Sequence, residues 1–328
     1  MNLVDRFDRK HDYLRISVTD RCNLLCHYCV PNGVHDCTSF QHLLTDDEIV
    51  NIVQAGAQLG IKKIRITGGE PLVRKGLPKL IGRLKEIPGI EDIALTTNGI
   101  FLAKYAQALK DAGLNRINIS LDTLNEEKYT KISRNGKLKD VLEGIQAAID
   151  HQLHPIKLNV VLLKDYNVDE IETFLKWTMK ENIQIRFIEY MPIGNQQFEW
   201  SKQYQSLSIV KNIAETIGIY TEHERKELAG PARTFSFENA KGSFGLIHPI
   251  SNEFCASCNR LRLTADGHLK SCLFWEAEVP VKAIAHDHHA LIDAYKRALF
   301  LKPKNHEMGQ TMYEQGTPTV RAMSAIGG

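Results

Sequence analysis

The chain has 328 residues, 43% hydrophobic and 24% charged, an ordinary globular composition on a chain long enough to bury a substantial core. With 41 basic against 39 acidic residues the formal net charge is +2, which excludes wholesale binding to nucleic acid or an anionic membrane surface and confines any basic site to a local cluster. The opening MNLVDRFDRKHDYLRIS has no signal-peptide core and no apolar run nears the roughly 18–20 residues that span a bilayer, so a cytoplasmic protein with reduced thiols is expected.

From Tyr13 to about Tyr190, segments of alternating apolar and polar residues take turns with amphipathic stretches of helical period, the pattern of repeated βα units. Strands are expected at YLRISVTD (13–20), KKIRIT (62–67), DIALTTN (92–98), NRINISLD (115–122), IKLNVVLL (156–163) and IQIRFIEY (183–190). Helices are expected between them at TDDEIVNIVQAGAQLG, LPKLIGRLKEI, FLAKYAQALKDAG, DVLEGIQAAIDHQ and DEIETFLKWTMKEN. Thr45 stands three residues before Glu48, a capping-box start for the first of these. Six repeats predict an α/β fold, an incomplete (βα)6 barrel of TIM type.

Alternate side chains of a strand face opposite sides of its sheet. Leu14, Ile16, Val18, Ile64, Ile66, Ile117, Ile119, Leu121, Ile156, Leu158 and Val160 then form an outer apolar face for the helices. The inner face holds Arg15, Ser17, Thr19, Lys63, Arg65, Thr67, Arg116, Asn118, Ser120, Asp122, Lys157 and Asn159. A wet, partly basic lumen of this kind suits a large polar ligand. The pattern changes after Tyr190, with a boundary near 192–220, so residues 1–200 are expected to form the partial barrel and 201–328 a C-terminal region. There LRLT, the turn ADG and HLKSCL read as a hairpin that returns Cys272 toward Cys255 and Cys258. The terminal MSAIGG reads as a flexible tail.

Six of the seven cysteines fall in two triplets. Cys22, Cys26 and Cys29 make C-x3-C-x2-C, and Cys255, Cys258 and Cys272 make C-x2-C-x13-C. Structural zinc takes four ligands and a disulfide takes two, whereas three cysteines can hold three irons of a [4Fe-4S] cluster and leave the fourth open. A zinc knuckle is the alternative, with His27 the nearest fourth ligand to the first triplet. Cys37 reads as a bystander thiol, and His286, His288 and His289 as a solvated helix start.

The first triplet, with aromatic Tyr28 before its third cysteine and T-G-G-E-P at residues 67–71, resembles the radical S-adenosylmethionine superfamily. The second triplet, with DYLRISVTDRCNLLCHYC, KIRITGGEPLVR, LTTNG, NISLDTL, IKLNVVL, IRFIEYMPIG and the terminal GG, narrows the resemblance to the molybdenum cofactor biosynthesis protein A family, the GTP 3′,8-cyclases. That resemblance implies two [4Fe-4S] clusters, the first chelating S-adenosylmethionine and the second, in the C-terminal region, binding the guanine base of GTP. It implies S-adenosylmethionine contacts at Tyr28, Gly69, Ser120 and Met191. It implies GTP contacts at Arg15, Arg65, Thr96, Lys157, Arg260, Leu261 and Arg262, with Lys63 and Arg186 as additions. Arg186 and Met191, five positions apart, can both reach the lumen only if the chain bends near Tyr190.

The implied reaction is abstraction of the ribose 3′ hydrogen by a 5′-deoxyadenosyl radical, attack of the sugar radical on guanine C8, and reduction to 3′,8-cyclo-7,8-dihydro-GTP. No protein acid or base is assigned. An external electron donor, hand-over of the product to cyclic pyranopterin monophosphate synthase, a homodimer and a glycine tail inserted toward the active site are implied with it; nucleic acid and membrane are not expected partners. The alternatives are a peptide-modifying maturase with an auxiliary cluster, and a non-catalytic iron or zinc protein that binds nucleotide or RNA.

Overall fold

Each of the six alternating segments forms a parallel strand: β1 (Tyr13–Ser17), β2 (Lys63–Thr67), β3 (Asp92–Thr97), β4 (Arg116–Ser120), β5 (Ile156–Leu162) and β6 (Ile183–Glu189). The structure, a computed structural model, describes residues 3–30, 33, 37–193, 197–224, 230–251, 254–310, 312 and 314–327. Helices α1 (Asp46–Gln58), α2 (Leu77–Lys85), α3 (Leu102–Asp111), α4 (Glu126–Ser133), α5 (Leu138–Asp150) and α6 (Ile171–Lys180) lie in the connections. Capping is local where it was legible: Thr45 Oγ1 accepts from Glu48 N at 3.2 Å, and Glu48 Oε2 accepts from Thr45 N at 2.7 Å.

The C-terminal residues do not form a separate sheet. After α7 (Gln197–Gln203) and α8 (Ser208–Ile217) come β7 (Tyr220–Glu222), β8 (Arg233–Phe237) and β9 (Ser243–Ile247), and β9 pairs in parallel with β6. At the other edge β10 (Arg260–Leu263) pairs in parallel with β1, followed by antiparallel β11 (His268–Lys270) and β12 (Glu278–Pro280). Among the described residues the twelve-stranded order is β12-β11-β10-β1-β2-β3-β4-β5-β6-β9-β8-β7, so the arc is longer than six strands and does not close. The sequence change near residue 200 marks a change of connection, while the sheet continues across it.

The hydrophobic contribution is on the outside of the arc. Leu14, Ile16, Ile64, Ile66, Ile117, Ile119 and Leu158 have no exposed surface and pack with the helices in one core. The remaining long helix, α9 (His288–Phe300), packs on α1, where the Tyr295 hydroxyl donates to Ile52 O at 3.0 Å. His288 starts α9 behind the Asp287 cap and meets Gln58 at 2.8 Å, while His286 meets Asn51 at 3.2 Å; this is the solvated helix start expected of them.

Gly144 in α5 sits so close to the turn before α3 that an added Cβ would lie 2.3 Å from Gly99 O. Because that neighbour is backbone, Gly144→Ala is expected to destabilise the fold by about 2 kcal/mol through overpacking. Urea unfolding followed by circular dichroism measures it; an unchanged midpoint would mean that α5 slides away without cost.

Candidate active site

The inner face encloses a cavity of about 1090 Å³. Register explains its charge. Arg262, Arg15 and Arg65 are paired positions on β10, β1 and β2, so three guanidinium-bearing residues stand at one level of the sheet. One level further along, Thr96, Asn118, Lys157 and Gln184 align on β3 to β6. Lys63, Arg116, Arg186 and Arg260 also line the cavity.

These cations are held near one another out of water. Burial, then Arg186, Arg116 and Arg65, pull the Lys157 ammonium down to about 6. Burial and the same neighbouring arginines pull Arg186 to about 9, and burial with Arg260 pulls Arg262 to about 10. Arg116 differs, because its Nε donates to Asp92 Oδ1 at 2.9 Å. Burial would raise the pKa of the Tyr13 phenol, but Arg65, whose Nε donates to its oxygen, and Arg15 outweigh that and hold it below the usual value.

The first triplet follows β1. Gly69 N donates to Thr19 O and Glu70 N to Arg21 O, both at 2.8 Å, laying the T-G-G-E turn directly on the segment that leads to Cys22. A Cβ on Gly69 would lie 2.4 Å from Arg21 O, so only glycine allows this approach. Buried Glu70 accepts from Thr97 Oγ1 and Asn98 N, each at 2.7 Å, and Asn98 Nδ2 in turn donates to Cys22 Sγ at 3.8 Å. Leu24 N donates to the same sulfur at 3.4 Å. The Tyr28 hydroxyl donates to Asp122 Oδ2 at 2.7 Å, and burial pushes that carboxyl up to about 6.

The second triplet is gathered by the expected hairpin. Arg262 pairs with Lys270 across β10 and β11, and Gly267 turns the chain at φ +83°. Cys255, Cys258 and Cys272 then line the same cavity as Cys22, Cys26 and Cys29. Electrostatics separate the two sets. Burial drives Cys22 to about 11 and Cys29 to about 12, whereas at Cys258 the effect of burial is overcome by Lys302 and Arg260 and the thiol falls to about 6.

Residues 16–178 match the Radical SAM superfamily and residues 183–308 match Molybdenum Cofactor Synthesis C. The GTP 3′,8-cyclase of Listeria welshimeri is 48% identical over 330 residues, covering 99% of each chain. The chain belongs to the GTP 3′,8-cyclase family. Two solved structures share the fold of this cyclase-family chain, each at 15% identity. Streptococcus suis SuiB bound to S-adenosylmethionine has a TM-score of 0.58, over 82% of this chain and 62% of that one. Native anSMEcpe with bound AdoMet has a TM-score of 0.57, over 90% and 82%.

The residues present fit the two [4Fe-4S] clusters of the family. Each triplet offers three sulfurs on a concave wall, and Cys22 Sγ receives N–H donors of the kind a cluster thiolate accepts. Thiols raised as far as Cys22 and Cys29 stay protonated near neutrality unless a metal displaces the proton. Among the described residues no three His, Cys, Asp or Glu side chains gather around a single-ion site.

Of the site residues expected from sequence, Tyr28, Gly69, Ser120, Met191, Arg15, Lys63, Arg65, Thr96, Lys157, Arg186, Arg260 and Arg262 all line the cavity. Met191 does so because β6 ends at Glu189 and Ile193 N turns back to Met191 O at 3.0 Å, which supplies the required bend. Leu261 points the other way. It is in register with Leu14 and fully buried in the outer core, as strand parity requires of a residue between two lumen-facing arginines. Cys37 lies outside the cavity lining and is in no disulfide; its neighbours 34–36 and residues 31–32 fall outside the described residues. Sequence reading assigned no role to Tyr13, Asp122, Glu70, Asn98, Arg9 or Lys302. Parity had already put Asp122 in the lumen; for Arg9 and Lys302 the sequence held no signal.

The tail enters the same space. Short helix α10 (Met323–Ile326) carries Ser324 to the cavity wall, and Arg262 Nη1 donates to Gly327 O at 2.6 Å. Gly328 lies outside the described residues. Gly327 has φ +78°, and a Cβ there would stand 2.1 Å from Thr67 Oγ1. Gly327→Ala is therefore expected to unseat the tail and lower turnover roughly tenfold, the equivalent of about 1.4 kcal/mol, with iron content unchanged. Turnover equal to the parent's would show that the seat is not used.

A polyanion in the lumen should return Lys157 from about 6 toward its usual 10.5. At about pH 7.5, binding of a nucleoside triphosphate is then expected to take up about one proton, because the free lysine is mostly neutral and the bound one charged. Calorimetry in buffers of different ionisation enthalpy reads this uptake. Lys157→Met should abolish it, and no uptake by the parent protein would refute the assignment.

Proposed function

We propose that this chain converts GTP to 3′,8-cyclo-7,8-dihydro-GTP, the first step of molybdenum cofactor biosynthesis, in the lumen between its two cysteine triplets. The observation that carries this reading is the placement of both triplets and a band of basic side chains on the wall of one cavity. Cys22, Cys26 and Cys29 would hold the cluster that carries S-adenosylmethionine, and Cys255, Cys258 and Cys272 the cluster that faces the guanine. With S-adenosylmethionine bound, the first cluster supplies a carbon-centred radical able to remove a ribose hydrogen.

The protein's own work is placement. Arg15, Arg65 and Lys157, joined by Lys63 and Arg186, offer the triphosphate both charge and directed N–H donors. Arg260 and Arg262 stand at the second triplet, next to the base, and Thr96 offers a hydroxyl between Arg65 and the strand that follows. Leu261 is left out of this set, since its side chain belongs to the core. Gly69, Ser120 and Met191 border the S-adenosylmethionine end. There Asp122 fixes Tyr28 through its hydroxyl, leaving the ring face available to adenine. Apolar Leu24, Val30, Val161 and Ile188 line the same cavity and limit the water around a reactive radical.

An external one-electron donor, transfer of the product to cyclic pyranopterin monophosphate synthase, a homodimeric state and a cytoplasmic location complete the proposal. No helix among the described residues is long and apolar enough to cross a membrane.

The test uses anaerobically reconstituted, reduced protein with S-adenosylmethionine and GTP deuterated at ribose C3′. Mass spectrometry of the released 5′-deoxyadenosine is expected to show deuterium. Cleavage of S-adenosylmethionine without deuterium transfer would leave the radical chemistry standing and remove GTP as the substrate.

A further inference from the structure

Two cations from opposite ends of the chain reach the second triplet without belonging to its motif. Arg9 is presented by the hairpin of Leu3–Val4 and Lys10–His11, and its Nε donates to Asp5 Oδ2 at 2.6 Å. Its Nη1 donates to the carbonyl of Cys255 at 2.9 Å and to that of Lys304 at 2.8 Å, and Nη2 donates to Pro303 O at 2.6 Å. Lys302 follows the C-terminus of α9 and is only 3% exposed. Its Nζ donates to Arg260 O at 2.9 Å, two residues past Cys258, and to Ser271 O, the residue before Cys272. Every cysteine-bearing segment of this triplet is thus tied by a backbone carbonyl to one of two buried cations.

The two are not equivalent. Arg9 is neutralised by Asp5. Lys302 donates to carbonyls, and among the described residues no carboxylate lies within ion-pair distance of it. A buried ammonium without a counter-charge is costly, and its carbonyl partners hold it beside the segments that carry Cys258 and Cys272.

We propose that Arg9 and Lys302 are positioning residues for the second cluster, Arg9 fixing the loop of Cys255 and Lys302 fixing the other two segments while serving as the cluster's counter-ion. This rests on the reading of Cys255, Cys258 and Cys272 as ligands of a four-iron cluster. A three-thiolate cluster carries net negative charge, and more of it when reduced, so a fixed cation beside it favours the reduced form and raises the reduction potential.

The experiment uses the full chain with Cys22, Cys26 and Cys29 replaced by alanine, so that all cluster iron belongs to the second triplet. Iron and sulfide are counted after anaerobic reconstitution, and the potential is read by a redox titration followed by electron paramagnetic resonance. Lys302→Met is expected to shift the potential to more negative values, and Lys302→Arg to restore it. Arg9→Lys, which cannot span all three carbonyls, is expected to lower cluster occupancy at least twofold with little change in potential, because Asp5 already offsets the charge. A potential unmoved in Lys302→Met overturns the counter-ion role, and full occupancy in Arg9→Lys overturns the fixing role. Lys302→Gln, which keeps a donor for one carbonyl, carries the same comparison if the methionine variant does not fold. Failure of both to fold would make Lys302 a structural residue only and overturn its electrostatic role. A background protein that takes up no four-iron cluster would instead remove the cluster reading of the second triplet, and this inference with it.

Discussion

Arg262, Arg15 and Arg65 stand abreast on three hydrogen-bonded strands, and the rest of the fold depends on tolerating them there. Neighbouring strands are about 4.8 Å apart, close enough for buried guanidinium groups at one level to repel. Hydrogen bonds from Arg65 to the Tyr13 oxygen and from Arg262 to Gly327 O relieve part of that repulsion. A further offset comes from the opposite face, where the residues just before the arginines, Leu261, Leu14 and Ile64, are completely buried in the core. The alternation of a strand thus places the group that costs stability and the group that supplies it on consecutive residues. A triplet such as Arg-Leu-Arg in β10 is a functional and a structural statement at once.

This coupling accounts for what the sequence disclosed. Six strands, their parity and the inward cations were legible because period-two alternation encodes burial directly. The cysteine triplets and the glycine pair were legible because their spacing is local. Asp122 was seen in the lumen but not as the partner of Tyr28, since the two are 94 positions apart and no pattern within one sequence marks the pair. The attachment of β9 and β10 to the two edges of the arc was hidden for the same reason: their strand character is local, whereas their neighbours are chosen by the whole sheet. Arg9 and Lys302 lie at the far limit of this reasoning. Each looks like a solvated basic residue in sequence, and only the carbonyls that converge on them show otherwise.

Leu261 shows how motif transfer and geometry differ. The motif R-L-R runs through the family resemblance as a block, but a strand cannot turn three consecutive side chains to one face. What was carried over as a set of three resolves into two lumen residues and one core residue. Met191 is the opposite case, a residue that regular geometry would have sent away from the lumen and that an early end to β6 returns to it.

Because β10 and β1 share a ladder, the strand that leads out of the second triplet and the strand that leads into the first are immediate neighbours. The gap between the two iron sites is then set by strand spacing and register, which change only in whole steps, and not by loops that can relax. Such a site behaves as a fixed gauge. A ligand too short to touch both ends gains little from either, and one too long finds no hinge in the sheet to open. Selection of a molecule with a base at one end and a sugar hydrogen at a set distance from it would follow from the ladder itself, before any side chain discriminates.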